Sequence, residues 1–204
     1  AAAVSIDNNS GYVVAIVGGR KQDSDNYTLN RAYQSHRQPG SSIKPLTVYT
    51  PAFERGYDPN TIVDDHKFEG GPSNATNTYA GKIPLRYAVA KSLNTVAWQV
   101  YEQVTPKVGL QYLKNMNFSS IVKDDYTLAT SLGGFTKGVS PLEMASAYTA
   151  LENDGMFRQP NCIKSIVDAD ENVVYSSQMT EVSIYEKDAT RTMTDVLTTV
   201  MDSG

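Results

Sequence analysis

The chain has 204 residues, a formal net charge of −4 and one cysteine, Cys162. That length supports one full hydrophobic core and is short for two domains, and the 40% hydrophobic and 20% charged residues are those of an ordinary globular protein. The acidic balance excludes nucleic acid as the main partner, a lone cysteine excludes an intrachain disulfide or a Cys-rich metal centre, and no apolar run approaches the ~18 residues of a membrane span.

The sequence opens on Ala-Ala-Ala-Val without an initiator Met, which suggests a piece of a longer protein with any anchor upstream. Ala2 to Ile6 and Tyr12 to Val17 are β-rich and flank the turn formers Asp7 to Gly11, so residues 1–19 are predicted to form an antiparallel hairpin. Residues 20–30 are polar, without periodicity, and read as loop. From Ser41 the apolar residues Ile43, Leu46, Tyr49 and Phe53 recur at helical spacing up to Gly56. Pro51 lies inside this helix; it would free the carbonyl of Thr47 and kink or end the helix there.

Residues 57–81 are rich in Gly, Pro, Asn and Asp and read as a long irregular connection of the kind that lines a site. Pro84 to Val104 carries one continuous helical pattern, followed by helices at Pro106 to Met116 and Leu142 to Leu151. Cys162 to Val167 and Asn172 to Tyr175 form a second predicted hairpin around Asp168-Ala169-Asp170-Glu171. The stripe Met193, Val196, Leu197, Val200, Met201 makes 188–202 an amphipathic helix. Strands near both ends and helices over 41–151 predict one α+β domain rather than a βαβ alternation.

Chemistry concentrates at two short patterns. Ser41 and Lys44 are three apart on a helix, hence on one face, where a lysine can act as base for a serine that is a poor nucleophile by itself. A position at the helix start adds unpaired N–H groups suited to an oxyanion. The pattern is weak alone, because 18 Ser and 11 Lys predict about one chance match. Ser120 and Lys123 form another, which runs into Asp124-Asp125 and reads as solvated surface. Ser92 and Asn94 interrupt an apolar helix, where both are poor helix formers whose side chains need partners; they either bond backbone locally or serve a site. Ser24-Asp25-Asn26 is a rival pair that reads as turn chemistry. His36 and His66 are widely separated and are assigned loop or surface roles.

Longer segments carry a resemblance. Arg37-Gln38-Pro39-Gly40-Ser41-Ser42-Ile43-Lys44-Pro45 and Ala90-Lys91-Ser92-Leu93-Asn94-Thr95-Val96-Ala97 resemble two signature segments of penicillin-binding protein transpeptidase domains, in that family's order. Val4 to Asp7 through Gly19 is similar to the family's opening hairpin, Leu29 to Ala32 to the lead-in to its nucleophile, and Leu132-Gly133-Gly134 through Tyr148 to a later helix. The Gln-Pro-Gly-Ser-Ser wording is closest to the class A branch, which carries a glycosyltransferase domain upstream.

The resemblance implies a serine β-lactamase/penicillin-binding-protein-like fold, an antiparallel sheet with a helical lobe. It implies a penicillin-sensitive D,D-transpeptidase that cross-links peptidoglycan stem peptides ending in D-Ala-D-Ala, is acylated by β-lactam antibiotics, uses no cofactor or metal, and works on the outer face of the bacterial membrane. By the same resemblance Ser41 is the nucleophile, Lys44 a catalytic lysine that can act as base when neutral, with the group that takes the first proton left open, Ser92 a proton relay and Asn94 a partner of Lys44 or of the substrate amide. The family's third motif, Lys-Thr-Gly or Lys-Ser-Gly on a strand, does not occur; Lys107-Val108-Gly109 is the nearest match and reads as structural. The C-terminal strands are therefore expected on a further fragment of the same protein. The alternatives are a D,D-carboxypeptidase or β-lactamase of the same fold, or a silent β-lactam sensor or scaffold. No Glu here has Asn four residues later, which argues against a class A β-lactamase.

Overall fold

The computed structural model describes residues 1–20 and 28–203. Strands β1 (Ala3–Ile6) and β2 (Val13–Val17) pair antiparallel as predicted, from Ala3 opposite Val17 to a bulge after Ser5. A helix then runs unbroken from Gly40 to Phe53 and changes pitch twice. A 3₁₀ turn over Gly40–Ile43 is followed by a π-helical stretch, Pro45–Tyr49, and by α1 (Thr50–Phe53).

The π stretch is where the structure departs from the expectation for Pro51. In a π-helix the partner of residue 51 is the carbonyl five residues back, so the group left without its N–H is Leu46 O rather than Thr47 O. Tyr185 supplies the missing donor: its hydroxyl donates to Leu46 O at 2.7 Å. The wide turn takes up the proline, and the helix continues to Phe53 without an early stop.

Residues 57–81 are not wholly irregular. Within them lies β3 (Ile62–Asp65), which pairs antiparallel with β4 (Gly81–Pro84). The predicted continuous helix at 84–104 is also corrected. It is two helices, α2 (Leu85–Ala90) and α3 (Asn94–Val104), with a turn at 91–93 between them. Helices α4 (Pro106–Asn115) and α5 (Pro141–Glu152) follow their patterns. Two short strands escaped the pattern, β5 (Met156–Arg158) and, later, β8 (Glu181–Ser183), which pair with each other. Between them β6 (Ser165–Val167) and β7 (Val173–Ser176) form the second predicted hairpin, and α6 (Lys187–Ser203) ends the described chain.

Among the described residues the expected sheet exists as four antiparallel two-stranded ladders. The helix over 40–53 is the axis of the helical lobe: from Ile43 to Phe53 every residue is buried, with α3 and α4 packed on it and α6 against its end. Ile43, Leu46, Phe53, Val100, Leu110, Leu113, Met193 and Val196 belong to a single hydrophobic cluster. Gly109 lets α4 come close, since a Cβ there would lie 2.7 Å from Thr47 O and 2.4 Å from the Tyr101 ring. That contact gives Lys107-Val108-Gly109 a packing role at the start of α4.

Candidate active site

The turn between α2 and α3 decides where the site lies. Ser92 N–H donates to Val89 O at 2.9 Å and Leu93 N–H to Ala88 O at 3.0 Å, the paired bonds that close a helix through a left-handed residue. That residue is Ser92, at φ 51°. Glycine is the usual occupant because a side chain there is strained. Here the position is held by a serine whose hydroxyl and carbonyl share one partner.

That partner is Lys44. It is 2% exposed, and its Nζ donates to Ser92 O at 2.8 Å, Ser92 Oγ at 3.2 Å and Asn94 Oδ1 at 2.9 Å. One ammonium has three donors, and three acceptors are arranged around it. Burial lowers the Lys44 pKa to about 8, so a substantial fraction is neutral in mildly alkaline solution and can accept a proton. Ser41 is exposed in the 3₁₀ turn preceding Lys44, and it lines a cavity of about 280 Å³ together with Lys44, Ser92 and Tyr148. The 3₁₀ turn is fixed from two sides. The Tyr148 hydroxyl donates to Ser42 O at 2.6 Å, and Gly133, at φ 83°, packs so closely that a Cβ would lie 2.1 Å from Gly40 O.

Three of the residues singled out from the sequence, Ser41, Lys44 and Ser92, line one cavity, and Lys44 bonds the fourth, Asn94, directly. The rival patterns do not. Lys123 is exposed at the start of a 3₁₀ turn with Ser120 in the turn before it, and Ser24-Asp25-Asn26 lies outside the described residues. His66 Nδ1 lies 3.3 Å from Asp64 O, and His36 sits 3.8 Å from Glu143 and 3.4 Å from Ser119 Oγ.

The whole chain, residues 1–204, matches the family described as the penicillin binding protein transpeptidase domain. The chain belongs to that family. Penicillin-binding protein 4 of Bacillus subtilis strain 168 is 32% identical over 206 residues, covering 99% of this chain and 33% of that protein. Penicillin-binding protein 1A of Pseudomonas aeruginosa is 32% identical over 195 residues, 91% of this chain and 23% of the relative. The chain therefore spans a third or less of these curated relatives. Among solved structures, penicillin-binding protein 1A from Haemophilus influenzae superposes with a TM-score of 0.85 at 23% identity, covering 100% of this chain and 35% of that one. The PonA1 protein of Mycobacterium tuberculosis, in complex with penicillin V, gives 0.83 at 23% identity, over 96% of this chain and 55% of that one. These likenesses bear out the α+β penicillin-binding-protein fold.

Sequence reading of this transpeptidase domain missed the residues that hold the site from behind. Asn74 Oδ1 accepts from Asn94 N–H at 2.8 Å and Thr95 N–H at 3.3 Å, and Asp65, 1% exposed, accepts from Asn74 Nδ2 at 2.7 Å. Nothing local signals contacts made across some twenty residues. One signal was available: Ser140-Pro141-Leu142-Glu143 is a capping-box pattern, and Glu143 Oε2 does accept from Ser140 N–H at 2.7 Å. Burial opposes ionisation of Glu143, yet the N–H groups of Ser119 and Ser140 outweigh it and hold the carboxyl below its usual range. The resulting firm start to α5 supports Tyr148, about two turns on from the cap, where it meets Ser42.

Proposed function

We propose that the chain is the acyl-transfer part of a class A D,D-transpeptidase, with Ser41 as nucleophile. The observation that carries this is the buried Lys44, held by Ser92 and Asn94 in the same cavity as an exposed serine at a helix start. Ser41 Oγ attacks the carbonyl of the penultimate D-Ala of a stem peptide while neutral Lys44 takes its proton. The Ser41 N–H is one donor to the oxyanion, and the strand of the third motif carries the second. The tetrahedral intermediate collapses, the bond to the terminal D-Ala breaks, and Ser92 passes the proton from Lys44 to the departing amine. An amine of a second stem peptide then displaces Ser41 from the acyl group, returning the proton by the same route. A β-lactam follows the first half of this path and leaves slowly.

The third-motif strand is assigned to a further part of the same protein packed against β2 and α6. What supports this is an apolar surface on those elements, Val14 at 64% exposed, Val17 at 54% and Met201 at 87%, together with the third or less of its relatives that the chain spans. An upstream glycosyltransferase domain and a membrane anchor belong to the same reading. Among the described residues no helix is long and apolar enough to cross a membrane.

Incubation with a penicillin followed by peptide mass mapping tests the assignment. One adduct on the Ser41 peptide is expected, lost in Ser41→Ala and released slowly from the native protein. An adduct on Ser120 overturns the site, and turnover of several penicillins per second identifies a hydrolase instead.

A further inference from the structure

Helix α3 begins without a cap of its own. Its N-cap residue is Leu93, which has no side-chain acceptor, so the first N–H groups of the helix need partners from elsewhere. Asn74 provides them from the loop that follows β3, accepting from the N–H groups of Asn94 and Thr95 with one oxygen. The orientation of its amide is fixed on the other side. Nδ2 donates to Asp65 Oδ1 at 2.7 Å and to Thr78 O at 3.0 Å, two groups that only accept, so Oδ1 must face the helix. Asp65 is itself anchored, with Oδ2 accepting from Ala80 N–H at 2.7 Å and Oδ1 from the Thr95 hydroxyl.

The same logic passes to Asn94. Its Nδ2 donates to Ser73 O at 2.9 Å, again an acceptor only, which leaves Oδ1 turned toward Lys44 Nζ at 2.9 Å. Neighbouring residues Ser73 and Asn74 therefore set both the backbone position and the amide polarity of Asn94. We propose that Asn74 is a positioning residue for acyl transfer: it caps α3 from outside the helix and, oriented by Asp65, holds the Asn94 amide and the Ser92 turn against Lys44. This rests on the transpeptidase reading above and adds to it a support that touches neither substrate nor Ser41.

The experiment measures the acylation rate constant k2 of the intact protein with a fluorescent penicillin, well below each variant's Tm. Asn74→Ala should lower k2 by on the order of 100-fold, the cost of a misplaced catalytic group. Gln99→Ala is the structural control. Gln99 Nε2 donates to Asp64 O at 3.0 Å, tying the same helix to the same strand away from the first turn, so its loss should lower Tm and leave k2 unchanged. The double variant Asp65→Asn with Asn74→Asp keeps an acceptor at the helix start and one donor between the two side chains, loses the bond to Thr78 O, and should recover part of k2. If Asn74→Ala does not fold, Asn74→Ser, too short to reach both N–H groups, takes its place with the same expectation. Wild-type k2 in Asn74→Ala, or a double variant no better than the single one, overturns the positioning role alone. A native protein that no penicillin acylates overturns the transpeptidase reading, and the positioning role with it.

Discussion

The hairpins β3–β4 and β6–β7 are alike in length and antiparallel pairing, yet they sit in the molecule in opposite ways. In β6–β7 every residue is exposed, Val173 at 63% and Val174 at 68% among them, and the turn is closed by its own Asp168, which accepts from the N–H groups of Asp170 and Asn172. In β3–β4 the connection is long and the closure is remote. Asp65 is buried and bonds Asn74, Ala80 and Thr95, joining the hairpin to α3 and so to the site. The first is a self-contained local structure. The second exists because a helix twenty to thirty residues away completes it, and its strength is shared with the turn at 91–93.

The largest break in that comparison should come from Asp65→Ala. Two buried donors, on Asn74 and Thr95, would lose their acceptor in a dry place, each worth about 1–3 kcal/mol when orphaned, while the exposed Ala80 N–H can turn to water, so about 3 kcal/mol of stability should go. A lower urea midpoint with an unchanged slope checks this. A loss under about 1 kcal/mol would show that the carboxylate does not hold the hairpin.

Next in size is the pH dependence of Lys44. Its folded pKa of about 8 lies below the 10.5 of a free lysine, because burial disfavours the charged form. Below pH 8 both folded and unfolded chains hold the proton and the full penalty, about 3 kcal/mol, is present. Between pH 8 and 10.5 the unfolded chain binds more protons, so stability rises with pH and the penalty is gone above that window. Lys44→Met should remove this rise while abolishing acylation. In the native protein the acylation rate should climb with pH and level off just above 8; a climb continuing past pH 10 would mean that Lys44 is not the base.

Ser92→Gly tests the site side of the comparison at smaller scale. Glycine fits φ 51° without strain, so the variant should be about 1 kcal/mol more stable by thermal unfolding and should lose most of its acylation rate. A serine that stabilised its own turn would give the opposite sign.

This turn also shows how much of the molecule the sequence could reveal. Periodicity traced the apolar face from Leu85 to Val100 correctly but could not see that the helix stops and restarts, because Ala88, Val89 and Leu93 remain on the buried side across the break. The misfit of Ser92 and Asn94 in that pattern was the visible trace of the break. The hairpin β6–β7 was legible because its turn chemistry is local. Strand β3 was not, since two of its four residues are Asp, a poor strand former, and one of them is there for its remote bonds. The π stretch before Pro51 was hidden for the same reason, as it depends on Tyr185 donating from far along the chain.

The smallest expected effect is the sharpest control. Val174→Thr changes a β-branched residue to another of the same shape on a hairpin face that is open to water, so neither packing nor strand preference is altered much. Stability should move by less than about 0.5 kcal/mol, and k2 should not move at all. A larger loss would mean that β6–β7 is covered by something in solution, and the contrast between the two hairpins would then be one of partners rather than of local against remote closure.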